Sequence, residues 1–337
     1  FYMDHEIENH IVGYRDNDNN PEFMYICSET FSDSNYCYTH DYDNPSSWFG
    51  GDFDFVTDAY PTRESYSLYA QTTYSLSDVT RIVSGLRYSN DEFVSNGSNF
   101  FNYEPFTIDG DANEITGKLV FEYDLNDSAM TYLSYTKGFK PGGSNLTFGF
   151  ENDNAPAMVF PAFESESVKS LELGLKTDLM DGRARANIAV FEYDYENLQF
   201  QATDPDIYRG GVANIPESEM SGIEIEFDAL LSDALTLDVN LSKLDTEVTA
   251  DYEALDNVDA YPYFFGFEDV RYGLRENIKG NQLAKSPKSS ADVSLVYEAG
   301  LSSGNNLTAV LQVVRRGEFQ QRVNNNPLVD HVEGYNV

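Results

Sequence analysis

Only two cysteines occur in 337 residues, Cys27 and Cys37, so no disulfide framework holds this chain together. Histidine is almost as scarce, four in all. None lies in the alternating stretches described below, which leaves a Ser-His-Asp arrangement nothing to build on. Basic residues are few, 21 against 57 acidic ones, for a net charge of −36. A nucleic-acid binder needs a basic footprint and a polybasic membrane-surface protein needs clustered lysines, so both classes are excluded. No run approaches the roughly eighteen apolar residues of a membrane-spanning helix. Walker, GxGxxG and GxSxG motifs are missing. Nothing points to an enzyme.

What is present is aromatic and periodic. Phe, Tyr and Trp make up 14% of the chain, with 24 Tyr and 23 Phe but one Trp, Trp48. Acidic disordered chains are poor in aromatics, so disorder does not explain the charge. From Glu64 to about Gly317 a unit recurs with a period of roughly fifty residues: strand, very short polar turn, strand, long polar loop. Strands are expected at 64–74, 79–90, 114–124, 130–139, 166–178, 184–199, 219–230, 235–246, 288–298 and 306–316. Ile223, Ile225 and Phe227 alternate with Glu224, Glu226 and Asp228; Leu235, Leu237, Val239 and Leu241 alternate with Thr236, Asp238, Asn240 and Ser242. Met180-Asp181-Gly182-Arg183 reads as a type I′-like hairpin turn.

A period of two places one residue set on lipid and the other in a wet lumen. A soluble antiparallel sheet also alternates, but its strands usually run about five or six residues. These run past ten, as a tilted crossing requires, and every long loop falls on the same side. The expected fold is therefore all-β, a transmembrane antiparallel β-barrel, with 63–337 forming the barrel part. Residues 1–62, rich in Asn, Asp, Pro and Ser, read as a long external loop region with strand remnants. Ten strands with two free edges cannot sit in hydrocarbon. Phe1-Tyr2-Met3-Asp4-His5-Glu6 has neither the basic start nor the apolar stretch of a signal peptide. The expectation is an internal piece of a larger barrel, truncated at both ends.

Three motifs carry weaker signals. Cys27 and Cys37, in a polar stretch, read as a local disulfide; zinc is the alternative, but His5, His10 and His40 fit no common zinc spacing. His5-Glu6-Ile7-Glu8-Asn9-His10 spaces its histidines five apart where a zincin helix needs four, so no metal site is expected there. Asp16-Asn17-Asp18-Asn19-Asn20 and Asp109-Gly110-Asp111-Ala112-Asn113-Glu114 resemble the start of a calcium loop without its sixth-position glycine and closing Glu. They read as solvated turn residues, with loosely bound calcium as the alternative, and no resident cofactor is expected.

Tyr132-Leu133-Ser134-Tyr135-Thr136-Lys137-Gly138-Phe139-Lys140-Pro141-Gly142-Gly143 is more specific. It resembles the YxSYxxGFKPGG strand of TonB-dependent outer-membrane receptors, and the resemblance continues through Glu164–Lys176, Asn187–Gln199, Asn214-Ile215-Pro216, Gly222-Ile223-Glu224 and Gly280–Pro287. The resemblance implies a 22-stranded barrel around an N-terminal plug, about ten strands being present here and the plug not. It further implies import of a bulky nutrient energised by the TonB complex through the N-terminal region, in a bacterial outer membrane with lipid and lipopolysaccharide around it. The long loops would be extracellular and the short turns periplasmic. The strand motifs are nearest the iron-receptor branch, so a ferric siderophore is the first expectation. Oligosaccharide or cobalamin uptake is the second, and a passive porin or adhesive barrel the third. Ligand contacts are expected among loop aromatics and arginines: Tyr208, Arg209, Tyr261, Tyr263, Phe264, Phe265, Arg271, Tyr272 and Arg275. Ordinary loop packing accounts for them equally well. Tyr135 and Phe139 read as interfacial girdle.

Overall fold

The computed structural model describes residues 2–6, 9–13, 55–98, 105–145, 162–204, 209–256, 275–301, 304–327 and 329–336. In chain order the strands are β1 (Tyr2–Glu6), β2 (Asn9–Gly13), β3 (Phe55–Ser75), β4 (Thr80–Ser98), β5 (Pro105–Asn126), β6 (Ala129–Lys140), β7 (Gly143–Ser144), β8 (Ala162–Phe163), β9 (Glu166–Leu179) and β10 (Ala184–Asp204). They continue as β11 (Arg209–Ser232), β12 (Leu235–Val248), β13 (Glu253–Leu255), β14 (Arg275–Asn277), β15 (Ser289–Gly300), β16 (Asn306–Arg316), β17 (Phe319–Gln320), β18 (His331–Val332) and β19 (Tyr335–Asn336). The long strands lie side by side in near-sequential order, β1-β3-β4-β5-β6-β9-β10-β11-β12-β15-β16-β19, with β2 also on β3. β7–β8, β13–β14 and β17–β18 form separate two-stranded pieces.

The described residues fall into two compact units. One is built on Glu64–Glu92 and Asp109–Val337. The other joins Phe93–Ile108 to β2 and the start of β3, where Asn9 to Gly13 run antiparallel to Ala59 to Phe55. In the second unit Phe93, Ser95 and Ile108 are buried, and the guanidinium of Arg63 lies 5.7 Å from the centre of the Phe93 ring.

The sheet's two faces differ chemically, and the register shows where one face changes. Leu133, Leu173, Val190 and Ile223 are successive partners across four strands. Val239, Val293 and Val313 partner one another across the next three. Leu173 and Val190 are half exposed or more, which makes this an apolar surface with none of the described residues upon it. One row toward the loop side the partners are Tyr135, Leu171, Glu192, Ser221 and Asp245. One row further they are Lys137, Lys169, Asp194, Glu219 and Glu247. The apolar face ends at that step. From there back to Leu179 the apolar part of β9 has the length of a tilted crossing, roughly 9–11 residues.

On the turn side the chain reverses tightly. Met180, Asp181 and Gly182 all take positive φ (53°, 55° and 82°), and the Gly182 N–H donates to the Leu179 carbonyl at 3.1 Å. Two consecutive positive-φ residues are what a type I′ reversal demands, and their twist matches that of the strands. Elsewhere a side chain caps the reversal: Asn126 accepts from the Ser128 N–H at 2.8 Å and Ser232 from the Ala234 N–H at 3.3 Å.

The loop side differs from expectation. β10 has 21 residues and β11 has 24, about twice a membrane crossing. The stretch 200–218, read from sequence as loop, is strand up to Asp204 and again from Arg209. Asp109–Glu114 is likewise strand, inside β5, and no turn: Asp109 and Asp111 share one face and Glu114 lies on the other. β1 and β2 fall within the 1–62 region, and β3 already begins at Phe55.

Candidate functional site

Two arrangements fasten the loop-side strand ends. The first is made of amides. Gly142 and Gly143 follow Pro141 at the end of β6, and a Cβ on Gly142 would run into the Phe163 carbonyl oxygen, so the chain turns there only with glycine. This brings Asn145 beside β11, where its amide donates to the Val212 carbonyl and accepts from the Val212 N–H, both at 2.8 Å. Gln199 Nε2 donates to the carbonyls of Pro141 (3.0 Å) and Glu164 (3.1 Å), and its backbone N–H donates to Glu166 at 2.8 Å. Asn214 donates to the carbonyls of Glu164 (3.0 Å) and Asn197 (2.8 Å) and accepts from the Glu164 N–H at 2.9 Å. The β10–β11 tip is thereby laced to 141–166.

The second is apolar. Ile215, Val248, Ala254, Ile278, Leu283 and Val323 form a buried cluster, with Leu198, Phe200 and Tyr252 packed against it. The rings of Phe200 and Tyr252 meet edge to face at 6.0 Å. Leu198 and Ile215 partner each other just beyond Asn197 and Pro216, which drop out of the register together, Asn197 with φ of 55°. The run Gly280–Pro287 closes this cluster from the side. Asn281 donates to the carbonyls of Val323 (3.0 Å) and Asn324 (2.9 Å), the Gln282 N–H donates to Asn325 at 2.9 Å, and the Leu283 N–H donates to Thr246 at 3.1 Å.

Below these, the sheet's polar face is a hydrogen-bonded wall. Arg81 donates to Glu122 (2.9 Å) and to both oxygens of Asp124 (2.6 and 2.9 Å). The Tyr132 hydroxyl donates to Glu172 at 2.6 Å, and Lys176 lies 5.6 Å from the centre of the same ring. That ring lies over Gly174, where a Cβ would collide with it. A Cβ on Gly222 would come within 2.7 Å of the Phe191 ring, so the pattern repeats two strands on. Asn187 donates to Glu226 at 3.0 Å and Gln312 to Asp292 at 3.0 Å.

Of the residues expected at the ligand site, Arg209 and Arg275 have a described backbone. Arg209 pairs with Asp204 at the tip of β10–β11 and is a strand residue, which corrects its reading as loop. Arg275 pairs with Leu255 and closes the β13–β14 hairpin. Tyr208, Tyr261, Tyr263, Phe264, Phe265, Arg271 and Tyr272 lie outside the described residues, as do Cys27 and Cys37. Tyr135 stands in the row where the apolar face turns charged. No grouping of three or more His, Cys, Asp or Glu suited to a metal ion occurs among the described residues.

Residues 10–337 match the family described as TonB dependent receptor-like, beta-barrel. This chain belongs to the TonB-dependent receptor β-barrel family. Among relatives, the pesticin receptor of Yersinia pestis is 26% identical over 267 residues, covering 71% of this chain and 37% of that protein. A probable TonB-dependent siderophore receptor of Acinetobacter baumannii is 23% identical over 240 residues, covering 70% and 30%. The chain thus spans about a third of the length of the curated relatives it matches. The crystal structure of the ferric yersiniabactin uptake receptor of Yersinia pestis superposes with a TM-score of 0.64 at 20% identity, over 84% of this chain and 38% of that one. Likeness at that identity speaks to fold. The sheet is part of a TonB-dependent receptor barrel, with one apolar and one polar face, and the family is one of bacterial outer-membrane proteins. The relatives named are receptors, not enzymes.

In this TonB-dependent receptor barrel the family-like motifs have structural duties. Pro141-Gly142-Gly143, Asn214-Ile215-Pro216 and Gly280–Pro287 fasten the loop side to the strands. Sequence reasoning did not single out Asn145 or Asn325, and it met Gln199 and Asn281 only as motif residues without partners, because an amide in a polar stretch carries no local signal of a partner forty or more positions away.

Proposed function

We propose that this chain is the loop-bearing barrel portion of an outer-membrane receptor that imports a ferric siderophore in a TonB-dependent step. The carrying observation is the family match together with relatives named as siderophore or pesticin receptors. The braced loop side supports the reading: aromatic and arginine-bearing loops rooted in a rigid rim can hold a bulky, oxygen-rich ligand without a large ordering cost. In this reading the long loops are extracellular, the short turns periplasmic, and the apolar face contacts outer-membrane lipid and lipopolysaccharide. TonB engages the N-terminal region of the parent protein.

The test is uptake by the full-length parent in a host stripped of its own siderophore receptors. Radioactive iron carried by hydroxamate, catecholate and carboxylate siderophores is supplied with and without a functional TonB. Accumulation of at least one complex that stops when TonB is deleted supports the proposal. Import of an oligosaccharide or cobalamin with no iron complex taken up would replace the siderophore; TonB-independent leakage of small solutes would return the chain to the passive barrels.

A further inference from the structure

Two nearly inaccessible carboxylates sit at the loop side, outside both arrangements described above. Asp256 and Asp330 are each 1% exposed, and Asn326 is buried with them. Arg322 reaches both carboxylates: Nε stands 2.6 Å from Asp330 Oδ1 and an Nη 3.5 Å from Asp256 Oδ1. Asn326 completes the ring, its side chain donating to Asp256 Oδ2 at 2.5 Å and its backbone N–H to Asp330 Oδ2 at 2.8 Å. The two aspartates come from different places. Asp256 directly follows β13, just past the last β13–β14 pair, Leu255–Arg275, whereas Asp330 closes the turn 321–330, where the Gln321 N–H donates to the Asp330 carbonyl at 2.7 Å.

Burying two carboxylates against one guanidinium is costly unless every oxygen is met, and here each of the four oxygens has a donor. A surface pair would not need such an arrangement. Nor is Arg322 suited to receive an anionic ligand, because the pair of carboxylates outweighs its single charge. What the geometry does supply is a fixed distance between two chain segments 66 positions apart in sequence.

We propose that Arg322 is a positioning residue: through Asp256 and Asp330 it locks the end of β13 to the 321–330 turn, so that the loop-side surface carried by both keeps one shape. This rests on the reading of the loop side as the ligand-binding face. The lock itself is tested without any ligand.

The experiment uses the full-length receptor in outer-membrane vesicles and follows amide hydrogen exchange. Arg322→Met keeps the length and removes the charge. Exchange should rise roughly tenfold or more at Asn326, Asp330 and Leu255, and remain unchanged in β6 and β9. The triple variant Arg322→Met/Asp256→Asn/Asp330→Asn relieves the stranded carboxylates but still lacks the bridge, so it should insert normally and keep the raised exchange. If the single variant fails to insert, the triple variant carries the measurement. Unchanged exchange in the single variant, or a triple variant with wild-type exchange, overturns the lock. In the uptake assay with the three ferric siderophore classes, each inserted variant should raise KM with kcat held. A wild type that imports none of the probes defeats the functional reading and leaves the exchange result standing; exchange that responds with KM unmoved leaves a lock without a positioning role and overturns that part.

Discussion

Asn145 and Val212, from different elements 67 positions apart, hold each other by a matched pair of hydrogen bonds, the side-chain amide of one meeting both backbone groups of the other at 2.8 Å. Only an amide can donate and accept in that geometry. Asn145→Asp places an acceptor against the Val212 carbonyl and should loosen the β7–β8 segment by about 1–3 kcal/mol. Faster hydrogen exchange at Val212, with β12 and β15 unaffected, is the expected outcome. Equal exchange in the two proteins would show that the pair holds nothing.

Gly174 gives Tyr132 the room to reach Glu172. Gly174→Ala should push the ring aside, break the 2.6 Å hydroxyl bond and cost about 1–3 kcal/mol. Adding Tyr132→Leu to that variant should recover part of the loss by removing the clash. The measurement is the urea midpoint of the refolded full-length protein in micelles. A double variant less stable than Gly174→Ala alone would mean that the tyrosine, and not the collision, matters.

The row where the apolar face turns charged predicts a gradient of tolerance. Ile188→Arg puts a guanidinium near mid-membrane and should cost about 2–4 kcal/mol, whereas Glu192→Arg, at the edge, should cost about 0–1 kcal/mol. Folding free energies in lipid vesicles decide this, and similar values for both would move the boundary away from the Leu171 row.

Acid should act on the loop side through specific pairs. Hydrogen bonds from Asn277 and Lys279 hold the Asp251 carboxyl below its ordinary value, and Lys288 does the same for Glu318. A folded-state value below the unfolded one adds stability that is fully present above the ordinary carboxylate range. That stability is lost as pH falls through the lowered values. Carbon-13 titration of the two carboxyls in the refolded protein should place both midpoints low, and Lys279→Met should move Asp251 upward while leaving Glu318 in place. An Asp251 midpoint that ignores Lys279→Met would show that the ion pair is not formed in solution.

The membrane-crossing part of each strand was legible because lipid enforces alternation: Ile223, Ile225 and Phe227 cannot exchange places with Glu224 and Glu226 without moving charge into hydrocarbon. Beyond Glu192 that constraint stops. In Glu217-Ser218-Glu219 the buried residue is the serine and the exposed ones are acids, so the strand continues with no hydrophobic rhythm to announce it. Proline cannot donate to a ladder; opposite Asn197, Pro216 sits where the register skips and no donor is required. The motifs of the loop side could be seen, but their partners could not. Gln199 meets Pro141 across 58 positions and Asn281 meets Val323 across 42, separations at which one sequence carries no pairing information. Arg209 was drawn into a loop by the same loss of rhythm.

The amide fastening of the loop side and its exposed ion pairs will weather differently. Bonds from Asn145, Gln199 and Asn214 to main-chain carbonyls involve no formal charge on either partner, so neither brine nor fresh water, nor a drop in acidity, alters their strength. Pairs such as Lys279–Asp251 and Lys288–Glu318 are exposed and respond to both. A cell moving between habitats would therefore keep these amide bonds of the β10–β11 crest unaltered while the neighbouring β13–β14 region softened and stiffened with the water around it.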